Sequence, residues 1–160
     1  MRTKVRLMSL LICLANLVCV PVGAAQTGDV AVTVNEDNPV TKLSSTELRK
    51  IFAGERRSWS TGLPIKLFVR APGAHERVAL LRLLGMTEGE YKQYWTMQVF
   101  RGEAQSEPIA LPSNGMQREA VGAYPGAVAL VDVQDIKAGM KVLRVEGRMP
   151  GEAGYALKGK

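Results

Sequence analysis

PIKLFVRAPGAHERVALLRLLG, from Pro64 to Gly85, is the stretch that decides the fold class. Ile65, Leu67 and Val69 alternate with Lys66, Phe68 and Arg70, the period of two of a strand with a buried face. Ala71, Pro72 and Gly73 break the pattern. From Ala74 onward Val78, Leu80, Leu81, Leu83 and Leu84 recur at helical spacing, with Arg77 and Arg82 on the other side. Strand, tight loop and helix make an α/β unit, which aims the free N–H groups of the helix's first turn out of the carboxyl end of the strand. Open α/β sheets bind anions and small ligands at that end, so any site of this chain is expected there.

Working outward toward the amino terminus, Arg2, Lys4 and Arg6 precede an apolar run from Leu7 to Val20, and Val22-Gly23-Ala24-Ala25 supplies small residues. This is the order of a signal peptide, expected over residues 1–25, which leaves residues 26–160 as a single exported domain. The apolar run is shorter than the roughly 20 residues needed to cross a bilayer, so no membrane span is expected after cleavage. Both cysteines, Cys13 and Cys19, fall inside this leader, and neither follows a small residue as a lipid-attachment cysteine would. The remaining chain has no thiol for a disulfide, a metal or a nucleophile. Losing three basic residues lowers the net charge from +6 to +3, with 18 basic and 15 acidic residues left. The basic residues are scattered, which argues against nucleic acid as a partner.

Between leader and central unit, DVAVTVN (Asp29 to Asn35) reads as a strand stopped by Asn38-Pro39. Ser44, three residues before Glu47, forms a capping box for a helix from about Ser45 to Ala53, burying Leu48, Ile51 and Phe52 and ending at Gly54. Trp59, in the polar loop that follows, reads as an aromatic folded over the core edge.

Beyond the central unit, Thr87 and Glu90 repeat the capping box, and Tyr91, Trp95 and Val99 give the next helix an inward stripe that ends at Gly102. Arg101 to Pro112 reads as a surface connection. Ser113 or Asn114 caps a helix through about Ala123, with Met116, Ala120 and Val121 inward. GAVALV (Gly126 to Val131) has the composition of a strand buried on both faces, Lys141 to Val145 alternates as another strand, and the tail from Gly147 to Lys160 reads as extended. The order β-α-β-α-α-α-β-β predicts an α/β fold: a layered mixed sheet with helices on both faces.

Catalytic chemistry finds little to work with. His75 is the only histidine, so Cys-His pairs and histidine-rich metal clusters are excluded, and no cofactor is called for. A lone histidine in a helix's first turn reads as solvated, and Glu88 and Glu90 as carboxylates favoured by a helix N-terminus.

Four strings in order, LSSTELRKIFAGERRSW (Leu43 to Trp59), GLPI (Gly62 to Ile65), YWTMQVFRG (Tyr94 to Gly102) and YPGAVALV (Tyr124 to Val131), make the chain resemble the phosphate-binding proteins of phosphate ABC transporters. The resemblance implies one lobe of a type II periplasmic-binding-protein-like fold, a periplasmic location, no enzymatic activity and a small anion such as phosphate as ligand. Members have two lobes that clamp the ligand, whereas this length suits one. Where the family carries a Ser-Gly-Thr turn, this chain has Pro72-Gly73-Ala74, without either hydroxyl; Ala129-Leu130 stands where the family has Gly-Tyr. The ligand-binding candidates are therefore Arg70 and the backbone N–H groups of Gly73, Ala74 and His75, a one-sided and weak anion site with which Glu76 competes. The alternative is a structural or regulatory envelope protein that has lost the ligand and docks a protein partner.

Overall fold

In the computed structural model, which describes residues 28–158, the valine-rich run becomes β1 (Val30–Asn35), buried at every position. The chain continues through β2 (Lys42–Leu43), α1 (Ser45–Phe52), β3 (Lys66–Arg70), α2 (His75–Leu84), α3 (Glu88–Phe100) and β4 (Ile109–Leu111). It ends with α4 (Asn114–Ala123), β5 (Ala127–Asp132), one 3-10 turn (Val133–Asp135), β6 (Met140–Val142) and β7 (Arg144–Val145). The leader expected over residues 1–25 lies outside the described residues. Among those described, no helix is long and apolar enough to cross a membrane.

Five strands form one mixed sheet in the order β4-β3-β5-β1-β6, while β2 and β7 make a separate parallel pair. β3 runs parallel to β4 and β5; β1 is antiparallel to β5 and β6. Alternation along the strands divides the core between the two faces. Val32, Val69, Val128 and Leu130 meet Leu48, Phe52, Leu80, Tyr91 and Trp95 on the face of α1, α2 and α3. Phe68, Ala129 and Val131 meet Val121 of α4 on the other. The α/β layered fold with helices on both faces is the one read from the sequence.

Several local readings need correction. Arg101 to Pro112 is not all connection: Ile109 to Leu111 pair with β3 as an edge strand. Three residues between two prolines carry no alternation to read, and the strand exists through its partner. Lys141 to Val145 splits, its first part closing the main sheet and its second pairing with β2. The tail is a series of turns that nevertheless buries Tyr155 and Leu157. In α2, Val78 is 46% exposed while Arg77 is 5% exposed, the reverse of the expected faces. Arg77 is held inside by a two-pronged hydrogen bond to Glu88 and by the Tyr91 ring, 3.9 Å from its guanidinium carbon. Those contacts satisfy the charge that burial would otherwise penalise. Met116 points outward, and the inward place on α4 goes to Gln117 beside Val121. Val99 is exposed as well, so the α3 stripe stops at Trp95. Leu67 and Leu81, expected in the core, are half-buried and pack against its edge.

Both capping boxes form. The Ser44 hydroxyl accepts from Glu47 N at 3.2 Å, and the Glu47 carboxylate accepts from Ser44 N at 2.9 Å. The bond from Ser44's backbone, then that from its hydroxyl, holds the Glu47 carboxyl below its ordinary value of 4.5. A lowered folded-state value stabilises the fold above the unfolded pKa, and that contribution is lost as pH falls through the folded value. Ser44→Ala is expected to cost about 1 kcal/mol at pH 7. The difference from the parent should shrink below about pH 4, and urea unfolding at both pH values checks it.

Candidate functional site

Three parallel strands end together. Arg70 closes β3, Leu111 closes β4 and Asp132 closes β5, and each strand is followed by a helical start: α2, α4 and the 3-10 turn. The chain direction alone thus aims three sets of first-turn N–H groups at one end of the sheet. Two of the three are capped from within. Ser113 Oγ accepts from Met116 N at 3.2 Å, and Asp132 Oδ1 accepts from Gln134 N at 3.0 Å. The N-cap of α2 is Ala74, which offers no side-chain acceptor.

The residues singled out from the sequence, Arg70, Gly73, Ala74 and His75, come together at this junction. Pro72 and Gly73 make the turn, with Ala74 N donating to Ala71 O at 3.3 Å. Gly73 sits at φ +87°, a region that favours glycine, and a Cβ built there meets nothing within 4 Å. Backbone conformation, rather than the approach of a neighbour, accounts for glycine at this position.

Side-chain chemistry sets the character of the site. Arg70 Nη1 donates to Leu111 O at 3.0 Å, and its Nε lies 3.6 Å from the Glu76 carboxylate. The Arg70 side chain is 12% exposed and that of Glu76 4%. Glu76 belongs to the first turn of α2, so its carboxylate lies in the positive field of the helix start as well as beside the guanidinium. His75 is not simply solvated: its Nδ1 lies 3.2 Å from Asp132 Oδ2. Asn114, at the start of α4, donates to Asp135. Glu76 Oε1, Arg70 Nε, Asn114 Oδ1 and both amide atoms of Gln117 are buried without a hydrogen-bond partner. At this end the Arg70 guanidinium faces the Glu76 carboxylate, Asp132 faces His75, and Asp135 accepts from Asn114.

Asp132, Asp135 and Asn114 were not foreseen as neighbours of the turn. They lie far along the chain, and the parallel register of β3, β4 and β5 brings them to the same end of the sheet, with Asp132 reaching His75. The local clue is that Asp132 ends β5, Asn114 opens α4 and Asp135 closes the 3-10 turn. Among the described residues no group of three or more histidine, cysteine, aspartate or glutamate side chains is arranged to hold a metal ion.

The fold that carries these residues has counterparts. The chain is similar in structure to an ABC-type phosphate transport receptor from Vibrio cholerae, with TM-score 0.61 and 21% identity, over 78% of this chain and 50% of that one. It is also similar to a putative phosphate ABC transporter substrate-binding protein from Clostridium perfringens, solved with bound phosphate (TM-score 0.62, 16% identity, 78% and 48% covered). PstS from Borrelia burgdorferi gives TM-score 0.63 at 17% identity, covering 83% and 55%. The chain thus spans about half the length of these proteins. A family model described as a PBP superfamily domain matches residues 16–153, nearly the whole of the sequence, and the chain belongs to that family.

Proposed function

We propose that this chain is an exported, non-catalytic, single-lobe binding module: a signal peptide over residues 1–25, a domain over residues 26–160 working in the periplasm, and at most a weak anion site at Arg70, Gly73, Ala74 and His75. The Vibrio cholerae neighbour is a phosphate transport receptor and the Clostridium perfringens one was solved with bound phosphate, which makes phosphate the anion to test. The observation that carries the reading is the Arg70–Glu76 pair. Glu76 supplies from within the negative charge that a ligand would bring.

Magnitudes point the same way. A helix N-terminus contributes about 0.3–1 kcal/mol and a charge-assisted bond from arginine about 1.5–3 kcal/mol. Together they fall near or below the roughly 4 kcal/mol of millimolar binding, before the carboxylates at this end are counted against an anion. Calorimetry with inorganic phosphate is expected to show millimolar binding or none. A micromolar isotherm would overturn the reading and make the chain a receptor in its own right.

A second reading, docking of an envelope protein on this face, is favoured by Met116 and Val133. Both are large apolar side chains left exposed on the helical turns that start at this end of the sheet. Loss of partner capture on Met116→Asp, with phosphate behaviour unchanged, is the result that would select it.

A further inference from the structure

At the other end of β3 a cavity of about 410 Å³ opens between the loop after α1, the first residues of β3 and the wall formed by residues 103–109. Its size falls within the range of small-molecule sites, about 300–1,000 Å³. Trp95, Leu67, Ile65 and Ile109 give it an apolar lining, and this opening leaves Ile65 and Leu67 half-buried where β3 alternation would put them fully inside. Gly54 stands over the indole at φ +73°, and a Cβ there would lie 2.6 Å from Trp95 Cη2. A larger residue would push the indole out of place.

The backbone beside the cavity has a strand-shaped gap. Ser58 bridges Pro64, and Ile65 N donates to Arg57 O at 2.8 Å. β4 starts only opposite Phe68. Between those points Lys66 and Leu67 have no strand beside them on that side. Lys66 N donates to Gly126 O on the β5 side, and backbone groups alternate along a strand, so the Leu67 N–H faces the cavity. The gap is two residues long, about 7 Å, the span of a dipeptide.

The two lips carry opposite charge. Arg57 is held on one by its Nε bond to Gly54 O at 3.3 Å. Arg56 is already paired with Glu47, and the Lys66 ammonium sits over the Tyr124 ring, which leaves Arg57 as the cation for a guest. Glu103 and Glu107 stand on the facing wall, which is tied to α3 by the bonds of Glu103 N and Ala104 N to Gln98 O. Among the described residues no ion pair joins Arg57 to either glutamate. Opposite charges kept apart across an apolar floor complement a guest that is itself dipolar and apolar in the middle.

We propose that this cavity binds a short zwitterionic peptide with apolar side chains, its carboxylate at Arg57 and the Leu67 N–H, its ammonium at Glu103 and Glu107. The proposal is independent of the anion reading, which concerns the opposite end of the strand. Amide NMR of the purified protein titrated with Leu-Leu is expected to move the Leu67 amide and Trp95 indole signals saturably while leaving His75 in place. N-acetyl-Leu-Leu, Leu-Leu amide and Gly-Gly should each bind at least about tenfold more weakly, as should Leu-Leu to Arg57→Glu or Glu107→Lys. Both substituted residues are exposed, so their folding is checked by unchanged spectra elsewhere. No saturable shift, equal affinity for blocked and free peptides, or shifts centred on Gly73 to His75 would overturn the proposal.

Discussion

Gly126→Ala is expected to destabilise the domain by at least about 3 kcal/mol, at the upper end of the range for overpacking a closed site. A Cβ at this position would lie 2.0 Å from the Pro64 carbonyl oxygen, which is backbone and cannot swing aside. Gly126 φ is not in the left-handed region, so close approach is the whole reason for glycine here. The approach is needed because Gly126 O accepts two hydrogen bonds, from Lys66 N at 3.0 Å and from the buried Trp59 Nε1 at 3.1 Å. Moving the strands apart to admit a methyl group would break both, and the start of the β3–β5 ladder with them. Chemical denaturation of the alanine variant checks this; a midpoint unchanged from the parent would show that the two strands have room to spare.

Arg70→Ala is expected to cost about 3–5 kcal/mol, because it leaves the Glu76 carboxylate buried beside no cation. Removing both groups, as Arg70→Ala with Glu76→Gln, should recover much of that loss, a coupling that a four-protein cycle of urea unfolding measures directly. Additive effects would mean that the pair contributes nothing and the guanidinium is free for a ligand. The single change Glu76→Gln is expected to leave a folded protein that binds phosphate more tightly than the parent, since the competing carboxylate is gone while Arg70 keeps its bond to Leu111 O. Loss of phosphate binding in Arg70→Ala alone carries no information about the site unless the unfolding curve is measured beside it.

What could be read from the residues was local chemistry. The boxes at Ser44–Glu47 and Thr87–Glu90 depend on atoms three residues apart, and both form as their spacing implies. Trp59 in a polar loop reads as an anchor, and it is one. The phase of α2 was not legible: Val78, Leu80, Leu81, Leu83 and Leu84 leave too little of the circumference polar to fix a face, and the partner that draws Arg77 inward, Glu88, belongs to the next helix. β4 was invisible for a related reason, since three residues become a strand only by lying beside β3. At the candidate site the turn and Glu76 were legible, being contiguous. The approach of Asp132 to His75 required the sheet order to be known first.

The tail that buries Tyr155 has a bearing on when the domain can close. Tyr155 Oη donates to Val30 O at 2.9 Å, and Val30 N donates to Leu157 O at 2.9 Å, so both backbone polar groups of one residue in the first strand are held from more than a hundred positions away. β1 also has β5 on one side and β6 on the other, and both come after residue 126. The segment that leaves the ribosome early is therefore among the last to find its neighbours. Contacts of such sequence separation slow folding, because the loop must close before any of them forms. The domain is built to stay open until nearly its whole length is available.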